Sequence, residues 1–484
     1  MKTNHVTRYA EADLDTAYAA FLAHYPQYGS TGHIDALRAA EYSRLNKHGH
    51  IYLDYTGGGL YGDSQLAQHM AILQEGVFGN PHSSNPTSQA MTNLDEHARD
   101  FVLEYFNASP DEYVVIFTQN ASGALKLVGE SFPFEVGSRY LLTFDNHNSV
   151  NGIREYARAR GATFQYAPVL PPDLRLDGAR LEDLLNEADP TKHNLFAFPA
   201  QSNFSGVQHP LEWIATAQDK GWDVLVDFAA FAPTNRVDLS QWHPDFVPLS
   251  FYKMFGYPTG VGALIARKAA LHKLRRPWFA GGTITIASVQ GDGYYLAEDE
   301  TGFEDGTINY LNLPAIEIGL KHLSKVGIDT IHERVMALTG WLIENLLSLR
   351  HSNGKPLVTL YGPASTDMRG STITVNFYDP DGRLLDYRRV EALANEHTIS
   401  LRTGCFCNPG AGETAHGLTA ADLTDCFKHE ERMTFEQFIT AMSRKEKDAV
   451  GAVRISAGLV TNFTDVYHFM RFAESFTDKR AEDL

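Results

Sequence analysis

The sequence predicts an α/β fold: a large domain with a mainly parallel sheet between helices, and a small α+β domain after it. Three observations carry this. Between residues 51 and 310, short apolar runs without alternation (113–117, 140–144, 195–198, 224–226, 246–249 and 261–265) are separated by amphipathic stretches. Strands buried on both faces and joined by helical crossovers read this way. Further on, Ser371-Thr372-Ile373-Thr374-Val375-Asn376-Phe377 alternates polar and apolar residues, which predicts a strand of a second unit. Finally, 484 residues exceed the size at which single hydrophobic cores stop growing.

In chain order, residues 1–50 read as helical, with Leu14, Tyr18, Phe21 and Leu22 at helical spacing. This segment is expected to pack on the small domain. Residues 51–320 form the predicted large domain. A long helical segment over 316–349 leads into the small domain, 321–484, which contains the alternating strand and a helix near 390–397.

The composition, 43% hydrophobic and 21% charged, is that of an ordinary globular protein. A net charge of -18 argues against nucleic acid, which is bound through clustered Lys and Arg. The first ten residues hold no apolar core of signal-peptide length, and no stretch is long and uncharged enough to span a bilayer. A cytoplasmic protein without membrane partners is expected. Three cysteines make a disulfide framework untenable and suit a reducing compartment.

Ligands of open α/β sheets bind outside the carboxyl ends of the strands. The residue after each apolar run is therefore informative. Run 113–117 is followed by Thr118-Gln119-Asn120-Ala121-Ser122-Gly123 and a helix starting near Ala124, a place for a phosphate on backbone N–H groups and the Ser122 hydroxyl. An ordinary capped turn fits the same residues. His147 follows the next run and is able to lie on an aromatic ring, or to be a loop histidine. Gln201 and Asn203 after run 195–198 offer amides, or build a turn. Asp227 closes run 224–226, where an acid is costly without a cation; a protonated pyridinium nitrogen or a structural ion pair meets that need.

Lys253 follows run 246–249 in Ser250-Phe251-Tyr252-Lys253-Met254-Phe255, a lone cation among aromatics. Burying an ammonium there is expensive, and a desolvated lysine is the nucleophile that forms a Schiff base with a carbonyl cofactor. An acid at one strand end and a lysine at a later one is the pairing that pyridoxal phosphate requires. Five successive strand ends then supply phosphate, ring, hydroxyl, pyridinium and Schiff-base partners.

These residues resemble the class V, fold-type I pyridoxal phosphate enzymes, more narrowly the cysteine desulfurases and the desulfurase-like N-terminal domain of molybdenum cofactor sulfurases. The resemblance runs nearly end to end. It includes Ile51-Tyr52-Leu53-Asp54, Gly79-Asn80-Pro81-His82-Ser83, Gln201-Ser202-Asn203-Phe204-Ser205-Gly206, Ser250-Phe251-Tyr252-Lys253, Leu401-Arg402-Thr403-Gly404-Cys405-Phe406-Cys407-Asn408 and Val453-Arg454-Ile455-Ser456. It implies a seven-stranded, aminotransferase-like large domain and a homodimer with shared sites. By position, Lys253 matches the Schiff-base lysine, Asp227 the pyridinium partner, His147 the stacked ring and Asn203 a donor near the ring hydroxyl. Asn120, Ala121, Ser122, Ser250 and Tyr252 fall where the phosphate is held, Gly282 and Thr283 where a dimer partner reaches it. Arg454 matches the arginine that takes the substrate carboxylate, with Arg402 nearby, and no metal is implied.

Cys407 matches the cysteine that takes sulfur as a persulfide, which makes L-cysteine the implied substrate and a sulfur-acceptor protein or cofactor the implied partner. A zinc ligand pair, a Cys405–Cys407 disulfide and two inert cysteines compete with this role. So do two other functions: a class V lyase, epimerase or aminotransferase without a persulfide, and a sulfur-relay scaffold with a decayed site. Two features depart from the sulfurase pattern: the phosphate loop reads Gln119-Asn120-Ala121-Ser122, and Ala230 follows the acid where many desulfurases carry a polar residue. The 484 residues hold no counterpart of the sulfurases' C-terminal domain, which leaves the acceptor open.

Overall fold

Each strand of the central sheet except the edge strand Thr163–Ala167 buries both of its faces, and for that reason its sequence is apolar without alternation. Val115 and Phe117 enter one core with Leu141, Phe196, Val224, Val247 and Ile265. Their neighbours Val114 and Ile116 point to the other side with Leu142, Leu195, Leu225, Phe246 and Leu264. The computed structural model describes residues 8–81, 83–427, 433–445 and 450–484. His82 of the quoted motif lies outside them.

The seven strands are β1 (Tyr113–Thr118), β2 (Arg139–Thr143), β3 (Thr163–Ala167), β4 (Asn194–Pro199), β5 (Trp222–Asp227), β6 (Phe246–Ser250) and β7 (Gly262–Arg267), in the order β1-β7-β6-β5-β4-β2-β3. All neighbours are parallel except β7, which runs antiparallel to both β1 and β6. Strand β3 is an addition to the sequence prediction. It lies at the sheet edge, only its last residue is buried, and so it lacks the apolar signature of the inner strands. Gly262 opens β7 where the sheet is tightest: a Cβ there would lie 2.5 Å from both Asn120 Cα and Leu249 O.

The predicted helix over 316–349 is two helices, Pro314–Val326 and Ile328–Ser348. Gly327, at φ 91°, separates them in a conformation that favours glycine. A second sheet follows, of β8 (Val358–Tyr361), β9 (Thr372–Phe377), β10 (Arg402–Gly404) and β11 (Ala452–Ser456), in the order β8-β9-β11-β10 and antiparallel throughout. Its core takes Ile373, Val375, Val453 and Ile455 together with Phe21 and Tyr28 from the N-terminal helices. Phe21 stacks on Phe463 at 4.6 Å between ring centroids. Near residue 51 the chain crosses to this unit, where Ile51–Tyr52 pairs in parallel with Ile399–Ser400, and Asp54 bridges to Ser456. Among the described residues no helix is long and apolar enough to cross a membrane.

Candidate active site

The carboxyl ends of β1, β4, β5 and β6 open into a cavity of about 160 Å³, lined by Asn120, Ala121, Ser122, His147, Asn203, Asp227, Ser250, Tyr252 and Lys253. Helix Ala121–Ser131 starts three residues earlier than the sequence suggested, because Asn120 caps it by accepting the Gly123 N–H at 3.0 Å. Ala121 N–H donates to Ser250 Oγ at 2.9 Å, and the Ser122 and Ser149 hydroxyls pair at 2.6 Å. A helix N-terminus with hydroxyls beside it is a site for an anion.

Lys253 sits on the short helix Phe251–Phe255 after β6. No hydrogen bond or ion pair holds its ammonium among the described residues. Desolvation lowers its pKa first of all; Arg454 adds to the lowering, and Asp227 opposes it. Asp227, at the end of β5, is buried and accepts the Ala229 N–H on Oδ1 at 2.9 Å, leaving Oδ2 for a cation in the cavity. His147 is held below its usual range by desolvation and then by Lys253. Its Nδ1 accepts the Ser149 N–H at 3.1 Å, so the neutral ring carries its proton on Nε2. Burial raises the Tyr252 phenol.

The remaining candidates come from the small domain. Arg454 on β11 donates Nη1 to Asn203 O at 3.0 Å and Nη2 to Asp54 Oδ1 at 3.0 Å, and lies 4.8 Å from the Phe406 ring centroid. Desolvation lowers its basicity. Arg402 on β10 gives Nε and Nη2 to the same Asp54, at 3.0 and 2.6 Å to Oδ2. The cysteine loop is fastened at three successive carbonyls: Cys405 O accepts Asn408 N–H at 2.9 Å, Phe406 O accepts Asn203 Nδ2 at 2.8 Å, and Cys407 O accepts Asn148 N–H at 2.7 Å. Phe406 and Cys407 both have left-handed φ, 56° and 55°. Cys407 is exposed, whereas burial pushes the Cys405 thiol up.

Asn203, expected as a donor near the ring hydroxyl, spends one N–H on Phe406 and takes Asn408 Nδ2 on its Oδ1 at 2.9 Å. Gly282 and Thr283 do not line the cavity; the Thr283 hydroxyl bonds Ala280 at 2.9 Å. Two residues not singled out from the sequence complete the arrangement. Asp54 ends the short run Ile51-Tyr52-Leu53, the same strand-end signal read for later strands. Buried Asn408 ties Asn203 to Asp145 O, at 2.6 Å, and caps helix Pro409–Ala415; only its place after Cys407 marked it. Among the described residues no three metal-ligating side chains cluster.

Such a cavity suits a flat ring that carries a phosphate for the Ala121 helix, a basic nitrogen for Asp227 and an aldehyde for Lys253. Pyridoxal phosphate has these parts, and the donors present fit it. Enzymes that work through a lysine and this kind of ring are the class which the fold and the cavity define. Residues 51–467 match the family Aminotransferase class-V, and the chain belongs to it. It is 37% identical to a molybdenum cofactor sulfurase of Solanum lycopersicum, over 96% of this chain and 60% of the relative. With the Homo sapiens molybdenum cofactor sulfurase the identity is 36%, over 91% and 51%. The chain thus spans between half and three-fifths of these relatives' length. Among solved structures, it is similar in fold to a cysteine desulfurase from Thermococcus onnurineus NA1 (TM-score 0.73, 24% identity, 91% and 97% of the two chains). The cysteine desulfurase CsdA of Escherichia coli is also similar (TM-score 0.70, 18% identity, 92% and 98%).

Proposed function

We propose that this protein is a pyridoxal phosphate-dependent cysteine desulfurase of the molybdenum cofactor sulfurase type. It converts L-cysteine to L-alanine and leaves a persulfide on Cys407 for an acceptor. One observation carries the reading: the exposed Cys407 follows Phe406, whose carbonyl is fastened to Asn203 in the cavity lining. The 36–37% identity to sulfurases supports it.

Bound pyridoxal phosphate supplies an electron sink for bond breaking at the amino acid. The chain does the rest. The N-terminus of helix Ala121–Ser131 and Ser250 hold the phosphate, Asp227 keeps the ring nitrogen protonated, and His147 covers the ring. Arg454 takes the substrate carboxylate. Lys253, its basicity depressed by burial, moves the proton at the α-carbon. Cys407 attacks the substrate sulfur as a thiolate: the Cβ–S bond breaks, the S–S bond to Cys407 forms, and the β-carbon gains a proton. Cysteine and one thiol thus become alanine and one persulfide, with no outside oxidant.

The chemistry needs a free thiol, which the cytoplasm maintains. A homodimer is part of the proposal. Its support is the hairpin of strands Ile284–Ser288 and Gly293–Leu296, next to Gly282 and Thr283, which exposes Ile286, Val289, Tyr294 and Tyr295. The test is mass spectrometry after incubation with cysteine. One added sulfur on Cys407 is expected, together with alanine; alanine formed at full rate by Cys407→Ala would overturn the persulfide route.

A further inference from the structure

Arg402 and Arg454 face each other directly across the antiparallel pair β10–β11. Like charges so placed repel. The acid that reconciles them comes from elsewhere in the chain: Asp54 accepts both guanidiniums, and is itself buried. The space around it is full, since a Cβ on Gly57 would lie 2.5 Å from Asp54 Oδ2 and 2.8 Å from Arg402 Nη2. Asp54 and Asn203 O occupy both terminal nitrogens of Arg454. Its Nε, buried, has no partner among the described residues. A buried N–H donor without an acceptor is costly, and one beside the reacting cavity is where an incoming carboxylate repays it.

We infer that Asp54 is the positioning residue of the carboxylate site and sets its charge. Two cations sharing one anion leave a single net positive charge, matched to one carboxylate. The site therefore reads amino acids at their α-carboxylate and gives a second carboxylate no extra hold. This rests on the reading above, in which Arg454 receives the substrate carboxylate.

The test uses two unreactive probes, propionate and succinate, titrated calorimetrically into the holoenzyme and measured as inhibitors of cysteine turnover. Wild type is expected to bind succinate no more tightly than propionate. In Asp54→Asn the cluster carries two net charges, and succinate should gain on propionate by about tenfold, while kcat with cysteine falls because Arg454 is no longer aimed. A residue that merely supported the fold would weaken both probes together, so an unchanged succinate-to-propionate ratio in folded Asp54→Asn overturns the inference. Should that variant fail to fold, Arg402→Met decides. Asp54 then neutralises Arg454, and propionate should weaken about tenfold; undiminished binding overturns the inference. The outcomes separate from those of the function itself. Wild type that releases no alanine but keeps the carboxylate pattern sinks the desulfurase reading alone. Alanine release with no response to Asp54→Asn sinks this one alone.

Discussion

The wall that lines the cavity and the small-domain wall beside it, joined to it through Asn203, are built by opposite means. On the large domain each side chain stands at the end of a strand buried on both faces, so sheet register sets its place. On the small domain the reactive groups sit on a left-handed loop and on two paired strands whose facing arginines carry like charge, and contacts from other segments hold them. The first wall is rigid by construction; the second is rigid by contact. A change on the first wall should remove chemistry and leave geometry intact, whereas a change on the second should loosen geometry first.

The largest effect is expected at the first wall. Lys253→Ala should abolish the visible absorbance of bound cofactor and cut alanine formation by roughly 10³-fold or more, with an unchanged unfolding temperature. A variant that kept its activity would break the contrast. Cys407→Ala should come next: no sulfur added by mass spectrometry, and alanine formation down by about 100-fold. Asn408→Ala probes the contacts of the second wall. It strands Asn203 Oδ1 and Asp145 O, each costing about 1–3 kcal/mol when buried and unpaired. Persulfide yield should fall by about tenfold, and thermal unfolding should occur at lower temperature; an effect on turnover without loss of stability would blur the two walls.

The smallest effect lies on helix Pro86–Tyr105. Asp95 is buried with neither carboxylate oxygen partnered, and desolvation raises its pKa to about 8. Its folded form holds a proton that the unfolded form releases above about pH 4. Stability therefore drains from the native state as pH rises from about 4 toward 8. Asp95→Asn should raise the unfolding temperature by roughly 2 °C at pH 8 and by nothing below pH 4, read by calorimetry at both pH values.

The same contrast explains what the sequence disclosed. The inner strands announced themselves because burial on both faces leaves only apolar residues, and the residues after them then stood out as polar. The edge strand β3 did not, since water reaches all of its residues but the last. One helix was read where there are two, because only tertiary structure reveals that Gly327 adopts positive φ. Asp54 and Asn408 were passed over for a common reason: each acts through partners hundreds of residues away, and spacing along the chain carries no trace of that. Arg402 and Arg454 were visible as cations, but their pairing across β10 and β11 was not.

Gly262 has no chemistry, yet the phosphate loop at Asn120 and the strand leading to Lys253 close on it from either side. A single methyl group there would act as a wedge between backbone on both sides, parting the anion cradle from the strand that leads to the lysine. An enzyme so altered would lose its grip on the cofactor. The weakest point for catalysis is thus the spot where the sheet has no room, and a screen for cofactor retention would find it sooner than a screen for stability.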